Sequence, residues 1–122
     1  MNLSSATIET FRHIYTAFNR REIDTVLAAM HPDVDWPNGW EGGRVHGHGA
    51  VRDYWTRQFK AVSSNVEPQG FRTEPDGSIV VTVHQVVHDM EGKLFSDSMV
   101  EHVYTLEDGL IRKMDIRSQE QR

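Results

Sequence analysis

The sequence predicts an α+β domain in which helices pack on one face of an antiparallel sheet. Before about residue 65 apolar residues recur at helical spacing, and after it they alternate as they do in β-strands. No linker, repeat or low-complexity stretch divides the 122 residues, a length typical of one domain. Helices followed by a run of strands are typical of the α+β class. Residues 1–122 are therefore expected to form a single domain.

Three helices and one short strand are predicted in the first half of the chain. The first helix covers about 5–20 and can be capped by a serine just before it. A second, short helix starts at about residue 22 and ends at His31-Pro32, because the residue before proline disfavours helical dihedral angles. A short strand is expected at 34–36, and a third helix at about 49–62.

The second half is predicted to form strands separated by turns at glycines. The β segments cover about 66–73, 78–89, 94–106 and 110–117. In the segment 78–89 the odd-numbered residues form the more apolar face. In the segment 94–106 the even-numbered residues do so, and His102 is one of them. A two-residue Glu91-Gly92 turn would place Val81 opposite His102, so that the two apolar faces coincide.

The last hairpin admits two registers. A two-residue Asp108-Gly109 turn would place Asp115 opposite His102 and send Met114 to the other face of the sheet. A three-residue loop, with Gly109 in a G1 bulge, aligns the apolar faces. We predict the three-residue loop, because the alternative exposes Met114 and Ile116 together.

Composition excludes several classes of function. The net charge of −5 argues against a nucleic-acid partner. The lack of cysteine excludes a disulfide framework, a cysteine-ligated zinc and a thiol nucleophile. No apolar run approaches the length of a membrane span, and the N-terminal residues show no signal peptide. We therefore expect a soluble, cytoplasmic protein without a membrane partner.

The order of these segments resembles a known family. The features that carry the likeness are Val-Asp-Trp-Pro-Asn-Gly at 34–39, a glycine-rich loop, Tyr54-Trp55 on the third helix, and the hairpin at 102–112. Together they resemble the SnoaL-like branch of the nuclear transport factor 2-like superfamily, which includes ketosteroid isomerase and the SnoaL polyketide cyclase. The resemblance implies a conical fold, with a curved antiparallel sheet wrapped around three N-terminal helices and an internal pocket. It also implies a homodimer.

The resemblance places one family residue and leaves others unmatched. SnoaL-type cyclases carry a histidine seven residues before the hairpin glycine, and His102 matches that spacing. Their catalytic aspartate, seven residues after the glycine, corresponds to Ile116. The general-base aspartate of ketosteroid isomerase corresponds to Trp36. Its oxyanion-hole tyrosine falls nearest Ile14, one position from Tyr15.

His102 is the main catalytic candidate, because a histidine on an apolar strand face can exchange a proton near neutral pH. The alternative is a core histidine held by Tyr104 or Gln85. Gln85 and Tyr104 are candidates to polarise a substrate oxygen, or they bond to each other or to water. The residues expected to contact a small apolar or aromatic ligand are Tyr15, Trp36, Asn38, Trp40, Trp55, Phe59, Met114 and Ile116.

Three of these ligand candidates also fit a simpler role. Trp55 and Phe59 belong to a regular helical stripe, which is typical of a core. Asn38 lies in a Pro/Gly segment and fits a turn.

No metal site is predicted. His84 and His88 share a strand face, but they lie about 13 Å apart at roughly 3.3 Å per residue. His46 and His48 have no carboxylate or cysteine at ligand spacing. The chain also lacks a phosphate loop, a nucleotide fingerprint and a nucleophile elbow, which favours chemistry without a cofactor.

Three functions remain open from the sequence. The first is a cofactor-free isomerase, cyclase, lyase or hydrolase acting on a small apolar, oxygenated molecule. The second is a non-catalytic ligand-binding protein, and the third is a structural dimerisation module. The outward face of the central strands is apolar enough to predict a homodimer; its residues are Val80, Thr82, His84, Val86, Met99 and Val103.

Overall fold

A computed structural model describes residues 3–118, and they form helices followed by one six-stranded sheet. The elements are α1 (Ser5–Asn19), α2 (Ile23–Leu27), β1 (Met30–Pro37), β2 (Arg44–His46), α3 (Gly47–Ala61), β3 (Val62–Thr73), β4 (Ile79–Asp89), β5 (Leu94–Glu107) and β6 (Leu110–Ser118). The strand order is β2-β1-β6-β5-β4-β3, and only the β1–β6 pair is parallel. The predicted α+β class, with a curved and unclosed sheet, is confirmed.

The helices follow the sequence pattern closely, except at the end of α2. Ser4 caps α1, because its hydroxyl accepts a hydrogen bond from the Thr7 N–H at 3.1 Å. The second helix ends at Leu27 rather than at His31-Pro32, which lies inside β1. Proline is tolerated there because the β1–β6 pairing is irregular between Met30 and Asp35, where no ladder N–H is required.

The β4–β5 hairpin has the predicted register but not the predicted turn. Val81 pairs with His102, as expected. The loop, however, holds three residues (90–92), because the Asp89 N–H donates to the Lys93 carbonyl at 2.9 Å. The ladder then shifts by one residue, and Phe95 is left without a partner on β4. This β-bulge offsets the longer loop, so His102 still faces the core.

The β5–β6 hairpin corrects the prediction of a three-residue loop. Glu107 pairs with Leu110 across a two-residue turn, in which Asp108 and Gly109 have φ angles of 55° and 79°. Two positive φ angles define a type I′ turn. A bulge at Arg112 then restores the face alignment, so that Met114 is buried opposite Tyr104. The same bulge pairs His102 with Ile116 rather than Asp115.

Replacing Gly109 with valine is expected to destabilise the protein by about 1–3 kcal/mol, because a β-branched residue resists positive φ. The measurement is urea unfolding followed by circular dichroism. Gly49→Ala is the matched control, since Gly49 lies in α3 without a positive φ and an added Cβ meets no atom within 4 Å. That control should be neutral or slightly stabilising. Equal stability of Gly109→Val and the wild type would contradict the turn assignment.

Candidate active site

A cavity of about 360 Å³ lies between the sheet and the helices α1 and α3. Its wall is mostly aromatic and aliphatic, with a few uncharged polar side chains. Among residues 3–118, no aspartate, glutamate, lysine or arginine side chain lines it. The lining residues that concern the site are Ile14, Tyr15, Phe18, Trp36, Trp40, Tyr54, Trp55, Gln58, Ser64, Val66, Gln85, Val87, Phe95, Ser96, His102, Tyr104, Met114 and Ile116.

Three polar side chains form a hydrogen-bonded chain in this wall. The Tyr15 hydroxyl lies 2.7 Å from Nδ1 of His102 and 2.8 Å from the Tyr104 hydroxyl. Tyr15 comes from the buried face of α1, whereas His102 and Tyr104 are neighbours on the inner face of β5. We call Tyr15, His102 and Tyr104 the inner polar cluster. The sequence suggested Tyr104 or Gln85 as the partner of His102, but the direct partner is Tyr15.

Burial keeps every member of the inner polar cluster neutral near pH 7. It lowers the pKa of His102 to about 4, because desolvation disfavours the imidazolium. Burial also raises the pKa of both tyrosines, and the neighbouring Tyr104 contributes to the rise at Tyr15. The cluster therefore offers an uncharged imidazole and two phenols.

One nitrogen of His102 is open to the cavity. Within residues 3–118, every fully enclosed side-chain nitrogen or oxygen has a hydrogen-bond partner. Nε2 of His102 has no such partner, although the residue is only 7% exposed and lines the cavity. Nε2 is therefore reachable from the cavity, while Nδ1 is fixed by Tyr15.

The tyrosines allow both tautomers of the imidazole. If Tyr15 donates to Nδ1, then Nε2 carries the proton and can donate to a ligand. If Nδ1 donates to Tyr15, then Tyr15 donates to Tyr104 and Nε2 is left with a lone pair. The inner polar cluster can thus present either a hydrogen-bond donor or a base to the cavity.

Nine of the residues singled out from the sequence line the cavity, and two do not. Asn38 instead forms a turn: its amide donates to the Glu41 carboxylate at 3.0 Å and its carbonyl accepts the Glu41 N–H at 2.6 Å. Phe59 packs edge-on against Phe18 and beneath the guanidinium of Arg21. The nine that line the wall are Tyr15, Trp36, Trp40, Trp55, Gln85, His102, Tyr104, Met114 and Ile116.

The cavity mouth holds a residue that sequence reasoning missed. Phe95 is 65% exposed and its ring meets that of Trp40 edge-on, with centroids 5.9 Å apart. It reaches the mouth because the β-bulge removes it from the ladder. Strand alternation alone does not reveal a bulged residue.

One group of metal-ligating side chains comes together within residues 3–118, away from the cavity. It consists of His31, Glu107 and Asp108. Nδ1 of His31 accepts the Asp33 N–H at 3.0 Å, so that nitrogen has no free lone pair, and Nε2 lies 3.8 Å from a Glu107 carboxylate oxygen. One of the two ring nitrogens of His31 is therefore already engaged by the backbone, and the group is a surface cluster of one histidine and two carboxylates.

The curved open sheet and the helices that enclose one cavity define a nuclear transport factor 2-like fold. The chain belongs to the SnoaL-like domain family, whose model matches residues 11–114. The resemblance noted in the sequence is thereby confirmed. No curated protein matches the chain significantly. Within residues 3–118 no helix has the length and apolarity needed to cross a membrane.

Solved structures of the same fold are similar over nearly the whole chain. An NTF2-like protein of unknown function from Burkholderia pseudomallei is 27% identical, with a TM-score of 0.80 over 95% of this chain and 92% of its own. TerC, co-crystallised with polyporic acid, is 26% identical, with a TM-score of 0.79 over 94% and 92%. A putative polyketide cyclase from Sinorhizobium meliloti is 21% identical, with a TM-score of 0.74 over 89% and 94%, a likeness of fold alone.

Proposed function

We propose that this protein is a cofactor-free acid–base enzyme of the isomerase, cyclase or lyase type, acting on a small apolar, oxygenated molecule. The observation that carries the proposal is Nε2 of His102, which opens into a cavity where, within residues 3–118, no charged side chain forms part of the wall. Enolisation requires a proton donor or acceptor next to the substrate carbonyl, and it is helped by a largely apolar surrounding. Such a step moves a proton and an electron pair within the substrate, and it needs no oxidant or reductant.

Each member of the inner polar cluster has a separate role in this proposal. His102 takes a proton from the substrate at Nε2 and returns it at a second position. Tyr15 holds Nδ1 and adjusts the tautomer as the proton moves. Tyr104 contacts Tyr15 through its hydroxyl, so it acts as a positioning residue for Tyr15. Gln85 also lines the cavity and is available to bind a substrate oxygen.

A non-catalytic ligand-binding protein is the second candidate. A His102 pKa of about 4 favours it, because general bases are most effective when their pKa lies near the working pH. A weak base still serves substrates whose C–H proton is already acidic, such as β-dicarbonyl compounds. Catalysis and simple binding therefore predict the same ligands, but only catalysis predicts that the bound ligand exchanges protons.

Polyporic acid, the compound in the TerC crystals, is a probe of binding only. A small panel of hydroxylated aryl alkyl ketones, which carry hydrogens on the carbon next to the carbonyl, tests both binding and exchange. Isothermal titration calorimetry measures binding, and proton NMR in D2O measures exchange at carbons next to the carbonyl. We expect micromolar binding and, for the ketones, proton exchange above the buffer rate. Binding without exchange would favour the second candidate, and no binding of any probe would contradict both.

We also propose that the protein forms a homodimer through the outer face of the sheet. Val86, Met99 and Val103 lie half-buried on this face in the single chain. Ion pairs of Arg72 and Arg117 with Glu101 lie on the same face, where Val80, the β4 partner of Arg72, is fully buried. The remaining apolar side chains are the surface that a second copy would cover.

Val86→Lys is expected to give a monomer, because the dimer would bury an unpaired charge. Sedimentation velocity at micromolar concentration measures the change. Thr56→Lys, on the exposed side of α3, is the matched control and should leave the dimer intact. A wild-type protein that sediments as a monomer at that concentration would refute this assembly.

A further inference from the structure

A second group of polar side chains lines the cavity away from the inner polar cluster. Gln85 projects from β4, and Ser64 and Ser96 pair with Val87 from the strands on either side. None of the three has a side-chain hydrogen bond to residues 3–118. Ser64 is only 2% exposed, so its hydroxyl opens into the cavity rather than into solvent. We call Gln85, Ser64 and Ser96 the outer polar cluster.

The two polar clusters lie at different levels of the sheet. His102 is level with Val81, its partner on β4, and Gln85 lies four residues further along that strand. At roughly 3.3 Å per residue, Gln85 lies about 13 Å from the His102 level, and Val87, the partner of both serines, lies about 20 Å from it. Most of the remaining wall is apolar, with Ile14, Phe18, Val26, Trp55 and Val66 among its residues. The cavity is therefore polar at two separated levels and apolar over most of its wall.

We propose that the ligand is an uncharged, elongated aromatic molecule with an oxygen group at each end. One oxygen binds His102, and the other binds Gln85 with the help of the serines. This inference rests on the proposed function, since it assumes that a ligand reaches His102. A charged end group is disfavoured, because it would lose its hydration in the cavity. In the described part of the chain, no lining side chain carries a charge that could compensate for this loss.

The size of the cavity limits the ligand further. A volume of about 360 Å³ lies near the lower end of the range for small-molecule sites. It suits two linked aromatic rings better than a larger polycyclic molecule. Flat rings also match the wall, where Trp36 and Trp55 meet edge-on with centroids 5.5 Å apart.

The test compares 4,4′-dihydroxybiphenyl, with a hydroxyl at each end, and 4-hydroxybiphenyl, with a hydroxyl at one end. Isothermal titration calorimetry gives both dissociation constants for each variant. The wild type should bind the diol about three- to tenfold more tightly, the value of one net hydrogen bond. Gln85→Leu should remove this preference, so that the variant binds the two compounds equally tightly. Gln69→Leu, at an exposed position outside the cavity, should keep the preference.

Other results distinguish this inference from the proposed function. Equal affinity of the wild type for both compounds, with weaker binding by His102→Gln, would overturn the two-ended ligand and leave the proposed function standing. No binding of either compound would overturn both. Circular dichroism confirms that Gln85→Leu is folded. Ser96→Ala, at an exposed position, serves as a second variant and should weaken the preference without affecting the fold.

Discussion

His102→Gln is expected to slow proton exchange on the order of 10²–10⁴-fold, the usual contribution of a general acid–base group. Glutamine fills a similar volume and can still hydrogen-bond to Tyr15, but it does not accept and release a proton near neutral pH. The loss should appear mainly in kcat, because the side chain that exchanges the proton is removed while most of the apolar wall remains. The rate of deuterium incorporation from D2O, measured by proton NMR, gives the value.

Two variants show whether the effect belongs to the site. His84→Gln removes a histidine from the outer face, where it pairs with Asp97 at 2.7 Å, and it should exchange protons like the wild type. Tyr15→Phe removes the partner of Nδ1, so it should lower kcat less than His102→Gln and shift the pH profile. Wild-type exchange by His102→Gln would show that the chemistry takes place elsewhere.

The free energy of unfolding is expected to fall as the pH is lowered from 7 towards 4. The pKa of His102 is about 4 in the folded protein, against about 6.5 in an unfolded chain. As the pH falls through this window, the unfolded chain binds a proton at this position before the folded protein does, and unfolding is favoured. The total loss is on the order of 3 kcal/mol, of which about 2 kcal/mol falls between pH 7 and pH 5.

Urea unfolding at several pH values between 7 and 5 measures this loss. The carboxyl groups whose pKa is lowered by ion pairs, such as Glu41 beside Arg57 and Glu101 beside Arg72, contribute in a lower window. Their contribution is lost only as the pH falls below about 4.5. His102→Gln should remove most of the loss above pH 5, and His84→Gln should keep it. Equal pH dependence in the wild type and His102→Gln would refute the burial of a neutral imidazole.

Much of the fold follows from sequence patterns that depend on neighbouring residues. Helical spacing located α1 and α3, and alternation placed His102 on the inner face opposite Val81. Helical spacing and strand alternation are reliable signals, because each arises whenever one side of a helix or strand is buried. The strand β2 is only three residues long and left no such pattern. The length of β1 depends on its parallel pairing with β6, a long-range contact that local sequence does not encode.

The site was predicted less completely, because its parts meet only in three dimensions. His102 was identified from strand alternation and from its spacing to Gly109. Its hydrogen-bond partner was missed, since Tyr15 lies 87 residues away on a helix whose rotation about its axis is fixed by packing. Phe95 was missed because bulges interrupt alternation. Asn38 lies between two tryptophans and was therefore a candidate for ligand contact. In the structure, however, both the nitrogen and the oxygen of its side-chain amide are used in hydrogen bonds to Glu41.

Each of the two hairpins combines a loop with a β-bulge. Because the two can change together, the loop can change in length while the same side chains continue to face the core. In the β4–β5 hairpin, a loop of three residues and the bulged Phe95 displace the ladder in opposite directions, so that Val81 still meets His102. A loop shortened by one residue is compatible with the same interior if the bulge is lost with it. The loops at the rim of the cavity can therefore differ in length and sequence among related proteins, while the residues of the inner polar cluster still face the cavity.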